Sequence, residues 1–416
     1  MIVRLYDRIG RDIITPFRRG YLGPWLSGYA LVGLVVSGIV PVLLPLSADP
    51  HGMFAVGLVV AAFYLGMLIA PLFGSLADRT GTQRWVFLGS FPVTAAGAIL
   101  FGFADQTWQM FLCIFVVGAG AGAAQTTASM FIVEGRPRNQ WDTRMGWMRL
   151  AFGTGQVLGL AVSAYFSHRL ETGWIVVGVI MVIGTGLGWI KLPHLTRTRS
   201  DAAPAAPRKP RRRRSSLKPL FASRFGVFLG CWFFAMLGLM TFYNVVPLVL
   251  RDSFGVDPRT TSIVFLVGSA IGAILYPACG ELAWRHGPAR LLAVGIAATL
   301  VAFLVLALAT LNHGTLGAAL GGICLIVIAS FYPFQYIGAT LLAARLAPGG
   351  QGAAMGLFNS GVAAGAIIGA IVPSFLAQQA GYSSLTWFSF AAMIVSVCFG
   401  LPLLHALRRD RAAAAG

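Results

Sequence analysis

Apolar residues in this chain are gathered into long continuous runs separated by short polar breaks. The runs lie near residues 25 to 46, 54 to 76, 85 to 103, 108 to 133, 147 to 166, 172 to 192, 225 to 249, 260 to 279, 291 to 311, 317 to 344, 353 to 377 and 385 to 406. Each is close to the ~20 residues an α-helix needs to cross a bilayer core. The pattern predicts an all-α membrane protein of twelve transmembrane helices joined by short links.

The pattern also repeats. Gly74-Ser75-Leu76-Ala77-Asp78-Arg79-Thr80-Gly81-Thr82-Gln83-Arg84 returns 206 residues later as Gly280-Glu281-Leu282-Ala283-Trp284-Arg285-His286-Gly287-Pro288-Ala289-Arg290, with six of eleven positions identical. Met145-Gly146, Gly155 and Gly159 in span five likewise answer to Met355-Gly356, Gly365 and Gly369 in span eleven, at an offset of 210. A repeat of this length implies two pseudo-symmetric bundles of six helices. Paired glycines one turn apart let helices approach closely, so Gly155, Gly159, Gly365 and Gly369 are expected at packing seams.

Composition agrees: 57% of residues are apolar, 11% are charged and the mean hydropathy is +0.77. Charge supplies the direction of insertion. With the N-terminus placed in the cytoplasm, 28 of the 31 Lys and Arg residues fall on the inner side and three on the outer. That bias predicts that both termini are cytoplasmic. It accounts for the net charge of +18 without nucleic acid.

The expected organisation is a cytoplasmic amphipathic segment at 1–24, a first bundle at 25–193, a basic linker at 194–221, a second bundle at 222–407 and a short tail at 408–416. Residues 1–20 interleave Ile2, Leu5, Ile9, Ile13 and Phe17 with five arginines, which suits an interfacial helix rather than a cleaved signal. The linker run Arg208-Lys209-Pro210-Arg211-Arg212-Arg213-Arg214 reads as a solvated loop touching anionic lipid.

Chemistry is sparse. The five cysteines fall within or at the ends of apolar runs without metal-ligand spacing, and the histidines lie at span ends or in links. No nucleophile elbow, zinc-binding helix or phosphate loop is present, so neither an enzyme nor a bound cofactor is expected. The acidic residues also avoid the spans. Asp49, Asp105, Glu171, Asp252 and Asp257 are placed outside, and Asp7, Asp12, Asp78, Glu134, Asp142, Asp201, Glu281 and Asp410 inside. A centre free of fixed charge follows, favouring a neutral or amphipathic organic substrate, with Glu134 and Asp78 left as candidates for any proton coupling. Arg149, about 10 Å below Gln156 along a helix of 1.5 Å rise, is expected to snorkel to the inner boundary. Alternatively it joins Arg136, Arg138 and Arg144 in pairing with Asp78 and Glu134.

Mid-span polar groups are the candidate cavity residues. Tyr332, Gln335 and Tyr336 share a helical face beside Pro333. Gln156 lies at the centre of span five. Ser37, Gln125, Tyr243, Asn244, Asn359 and Ser360 complete the set, with interhelical hydrogen bonding as the other reading for each.

The segment Gly74-x-Leu76-Ala77-Asp78-Arg79-x-Gly81-x-x-Arg84 resembles the signature loop of the major facilitator superfamily. Two six-helix halves, a basic linker and a weakened second signature with Trp284 in place of Asp78 extend the resemblance over nearly the whole chain. It implies rocking of two bundles around a midplane site. Gly74, Asp78, Arg79, Gly81, Arg84, Glu134, Arg144 and Arg149 would then form a cytoplasmic gate. Leu34 with Pro41-Val42-Leu43-Leu44-Pro45, and Gly155-x-x-x-Gly159, are most like the drug/proton antiporter branch. Both depart from it: the proline pair is one residue too wide and span five lacks the branch's Gly-Pro. The expectation is a monomeric exporter in the inner membrane. The alternatives are a facilitator or importer of a neutral metabolite, and a non-transporting sensor or scaffold.

Overall fold

The computed structural model describes residues 23, 25–69, 72–73, 80–133, 141–190, 192, 223–311, 314–346 and 351–413. The amphipathic segment before Gly23, the basic linker, Gly74, Asp78, Arg79 and Glu134 lie outside them, and the Arg144 side chain is not described.

The described residues form an all-helical fold. In the first half, α1 runs through Trp25–Gly33, a π-helical stretch Leu34–Ile39 and Val40–Ala48. It is followed by α2 (Met53–Leu68), α3 (Gln83–Gly102), α4 (Thr107–Val133), α5 (Trp141–Phe166) and α6 (Leu170–Trp189). In the second half, α7 comprises Arg224–Tyr243 and Val246–Phe254, followed by α8 (Pro258–His286), α9 (Pro288–Ala309), α10 (Thr315–Leu346), α11 (Gln351–Ala380) and α12 (Ser384–Ala413). Among these, ten segments are long and apolar enough to cross a membrane, and α2 is a shorter apolar helix. The remaining helix, α5, carries Asp142, Arg144 and Arg149.

The two halves pack alike. In the first, α1 meets α5 and α6, α2 meets α4, and α3 meets α4 and α6; in the second, α7 meets α11 and α12, α8 meets α10, and α9 meets α10 and α12. The bundles join mainly along α2 with α11 and α5 with α8, two pairs that the pseudo-symmetry exchanges. Both leading helices are interrupted at equivalent prolines. The π stretch of α1 runs directly into Pro41, and α7 breaks at Asn244 and Val245 ahead of Pro247, which is 206 residues later. Proline lacks the N–H that would bond the preceding turn, so the ladder loosens there.

Exposed apolar residues identify the solvent. Ile274 is 76% exposed, and Ile183, Val301 and Ile323 are exposed in the middle of helices, an arrangement only lipid tolerates. Trp85, Trp189 and Trp284 are exposed at the end of the molecule that carries Gly81, and Trp108 and Trp387 at the end that carries Asp49. Tryptophan at both levels marks the two membrane interfaces.

The second signature copy departs from a loop. Gly280 to His286 prolong α8, supported by an Arg285–Glu281 pair at 2.7 Å one turn apart. The turn comes only at Gly287, with φ of 90°, where Gly81 of the first copy has φ of 69°. Such φ values favour glycine at both turns. Likewise α12 continues to Ala413, beyond the expected start of a tail.

Candidate functional site

Among the described residues, Tyr64, Gln156 and Arg149 of the first bundle make polar ties to the second away from the Asp49 end. The Tyr64 hydroxyl of α2 donates to Asn244 Oδ1 at the break in α7, at 3.0 Å. Gln156 Nε2 of α5 donates to Ser269 Oγ of α8 at 3.1 Å. Arg149 Nη2 of α5 donates to the Tyr336 hydroxyl of α10 at 2.6 Å, with the guanidinium carbon 4.8 Å from that ring's centroid. The phenols of Tyr29, Tyr276 and Tyr332 are also within electrostatic reach of Arg149.

An aromatic wall surrounds this last tie. Trp232 of α7 stacks on Phe358 of α11 at 4.9 Å, and Tyr336 meets both edge-on at 6.4 and 6.0 Å. Tyr332 lies 5.8 Å from Tyr336 and 6.4 Å from Tyr243, which in turn stacks on Phe265 at 5.3 Å.

Two expectations are corrected here. Arg149 does not turn back toward the boundary: its side chain reaches across to the second bundle, because phenols there offer an acceptor and π-faces. The region between the bundles is therefore not free of fixed charge. Gln335 does not share the half-buried face of Tyr332 and Tyr336. It is fully buried, and its Nε2 donates to Thr299 Oγ1 at 2.6 Å and to the Gly295 carbonyl at 3.2 Å, both on α9. A spacing of i+3 from Tyr332 placed it on the side of that face where α9 packs. Gln335→Leu should accordingly lower thermal stability by about 1 kcal/mol, the usual worth of an interhelical bond, and leave substrate affinity unchanged. Thermal unfolding and ligand titration of the variant check this.

The remaining candidates divide. Asn244 is buried and bonds the Ala366 carbonyl of α11 at 3.3 Å besides accepting from Tyr64. Ser37 is half-buried within the π stretch, Gln125 is half-buried in α4, and Asn359 and Ser360 are exposed on α11 beside Phe358. Gly155 and Gly159 bring the α5 backbone against Ala30, Leu34 and Gly38 of α1, and Gly365 and Gly369 bring α11 against Leu237 and Thr241 of α7. In the signature region, Arg84 lies over the Trp189 ring at 5.2 Å, tying the start of α3 to the end of α6.

A separate set of contacts closes the Asp49 end. Arg251 Nη2 at the end of α7 reaches Asp49 Oδ2 at 2.7 Å, and the Tyr382 hydroxyl from the turn between α11 and α12 donates to Asp49 Oδ1 at 3.3 Å. Burial, with the Asp49 carboxylate beside it, pushes the Tyr382 hydroxyl above its ordinary value, so it remains a donor at neutral pH. His168, after α5, faces Asp257, before α8, at 3.3 Å. Below them Gly57 of α2 lies against Ala370 and Ser374 of α11. The Arg251–Asp49 pair and the His168–Asp257 contact are partly exposed, and such exposed contacts are individually weak and reversible.

Sequence reasoning missed Tyr29, Tyr64, Trp232, Tyr276 and Phe358, because aromatic residues within apolar runs carry no pattern that separates a wall from core. It also missed the Asp49–Arg251 partnership, whose members stand 202 positions apart.

Comparison with known proteins fits this architecture. The nucleoside transporter NupG superposes with a TM-score of 0.72 over 92% of this chain and 98% of its own, at 16% identity. A D-xylose-proton symporter gives 0.70 over 91% and 95%, at 13% identity, so the likeness is one of fold. In sequence, an uncharacterised MFS-type transporter of Mycobacterium tuberculosis (strain H37Rv) is 25% identical over 287 residues, covering 68% of this chain and 37% of the relative. The sialic acid transporter NanX of Escherichia coli (strain K12) is 24% identical over 166 residues, 39% of this chain and 40% of NanX. The chain thus spans well under half the length of these curated relatives in the matched regions. Residues 25–351 match the family described as Major Facilitator Superfamily. With most of the chain matched and two related bundles meeting along α2, α5, α8 and α11, this multi-span membrane protein belongs to the Major Facilitator Superfamily.

Proposed function

We propose that the chain is a transporter that moves a small amphipathic organic compound by rocking its two bundles around the Arg149–Tyr336 level. The observation that carries this reading is the nature of the contacts between bundles. Beside the apolar packing of α2 on α11 and of α5 on α8, with Gly57 close to Ala370, they include breakable polar ties and partly exposed charge contacts. A scaffold with no moving parts would have no use for breakable ties between two pseudo-symmetric halves.

The distribution of Lys and Arg supports assigning the Asp49 end to the outside, with twelve spans and cytoplasmic termini. The arrangement described is then closed outside. Export is the favoured direction, supported by the antiporter-like features of α1 and α5. Import of a metabolite is the second reading, supported by relatives named for sialic acid transport and for amino acid uptake into vacuoles. Glu134 and Asp78 remain the proposed proton-coupling residues, since the described carboxylates lie at helix ends. The basic linker is proposed to contact anionic lipid, and the working unit to be a monomer.

Flux in proteoliposomes tests the reading. A panel of amphipathic compounds and sugars, with and without a pH gradient, is expected to reveal uphill movement of one class under the gradient. Downhill movement indifferent to the gradient would establish a facilitator. No movement of any compound would overturn transport.

A further inference from the structure

The Arg149 guanidinium occupies an unusual electrostatic position. Among the described residues its hydrogen-bond acceptor is the Tyr336 hydroxyl, and the groups within electrostatic reach are the phenols of Tyr29, Tyr276, Tyr332 and Tyr336, with no carboxylate among them. A cation at membrane depth is costly unless it is neutralised. A guanidinium also presents five N–H donors in a planar fork, of which one phenol oxygen occupies only a part. Beside it stands the half-buried ring of Tyr336, with half-buried Tyr332 next to that ring and the buried Trp232 and Phe358 packed behind it.

We infer that Arg149 is the anion-binding subsite of the transport pathway, and that the substrate is an organic monoanion whose carboxylate pairs with the guanidinium while a planar apolar body lies against the rings of Tyr332 and Tyr336. This deepens the transporter reading and rests on it for the word substrate. The geometry supplies a coupling step as well. A carboxylate that takes the edge of the guanidinium fork carrying Nη2 in bidentate fashion competes with the Tyr336 hydroxyl for that nitrogen. That hydroxyl is the α10 end of the tie between α5 and α10, so binding the anion loosens one of the polar ties that join the bundles. Ligand recognition and bundle movement then use the same hydrogen bond. A neutral ligand of the same shape lacks the means to break it.

The test uses the full-length purified protein, with benzoate and 2-naphthoate as probes and their carboxamides as neutral isosteres. Binding is read by thermal stabilisation in detergent and flux in proteoliposomes. The carboxylates are expected to bind at least tenfold more tightly than the amides. Arg149→Met should weaken carboxylate binding by about 100-fold, the scale of a lost charge-assisted pair, and leave amide binding unchanged. Tyr336→Phe keeps the ring and removes the competing acceptor, so it should tighten carboxylate binding several-fold, a gain that damage to the fold would not produce. Equal binding of acids and amides, or carboxylate binding indifferent to both substitutions, would overturn the anion subsite while leaving transport untouched. Arg149-dependent carboxylate binding without flux of any probe would uphold the subsite and overturn the transporter reading.

Discussion

Gly155→Leu is expected to destabilise the protein by about 3 kcal/mol or more, at or beyond the upper range of overpacking substitutions. A Cβ at Gly155 would overlap the Ala30 carbonyl and lie 3.0 Å from the Leu34 nitrogen, and one at Gly159 would lie 2.9 Å from Gly38 Cα. The obstruction is backbone, which cannot rotate away, so α5 and α1 must separate over two turns and forfeit the dispersion contacts between them. In the second bundle the corresponding approach is looser, with a Cβ at Gly365 3.1 Å from the Leu237 nitrogen and one at Gly369 3.0 Å from Thr241 Oγ1. Gly365→Ala should cost less than Gly155→Ala. Gly186→Ala, where a Cβ meets nothing within 4 Å, should be neutral or slightly stabilising through helix propensity. Thermal unfolding midpoints followed by size exclusion give the order. Equal losses at Gly155 and Gly186 would show that α5 does not depend on close approach to α1.

Arg251→Glu should open the Asp49 end. The substitution turns attraction to Asp49 into repulsion beside Asp252. The side chains are 43% and 24% exposed, so solvent screens much of the interaction. A change of about 1.4 kcal/mol, or roughly tenfold in the ratio of closed to open forms, is the expected scale. Ser374 is 2% exposed and packs against Gly57 just below the ion pair, so a cysteine at that position reports opening. In a background lacking the native cysteines, Ser374→Cys should label about tenfold faster when Arg251→Glu is present. The exchanged pair, Asp49→Arg with Arg251→Asp, should return labelling close to its original rate. A labelling rate unaffected by Arg251→Glu would mean that the apolar contact between α2 and α11 alone holds this end closed.

Much of the fold was legible in the sequence because its causes are local. Lipid admits only backbone that satisfies its own hydrogen bonds, so a run of about 20 apolar residues has helix as its one solution. The 206-residue repeat made the halves equivalent, and it reappears as paired turns at Gly81 and Gly287 and paired interruptions at Pro41 and Pro247. The packing glycines were legible for the same reason, since their spacing encodes a helix face before any partner is known.

What only the tertiary structure decided is which side of a helix meets which neighbour, and in what direction a long side chain extends. Gln335 and Tyr336 are adjacent in the chain, yet one is buried against α9 and the other meets the Arg149 side chain reaching from α5, because α10 packs on α9 along one side only. Arg149 was free, on sequence grounds, to turn to the boundary or to the centre, and the phenols that draw it inward come from separate helices, among them α1, α8 and α10. The Asp49–Arg251 pair joins residues from opposite halves. Spacing along one helix determines a face; only assembly of the helices determines what that face meets.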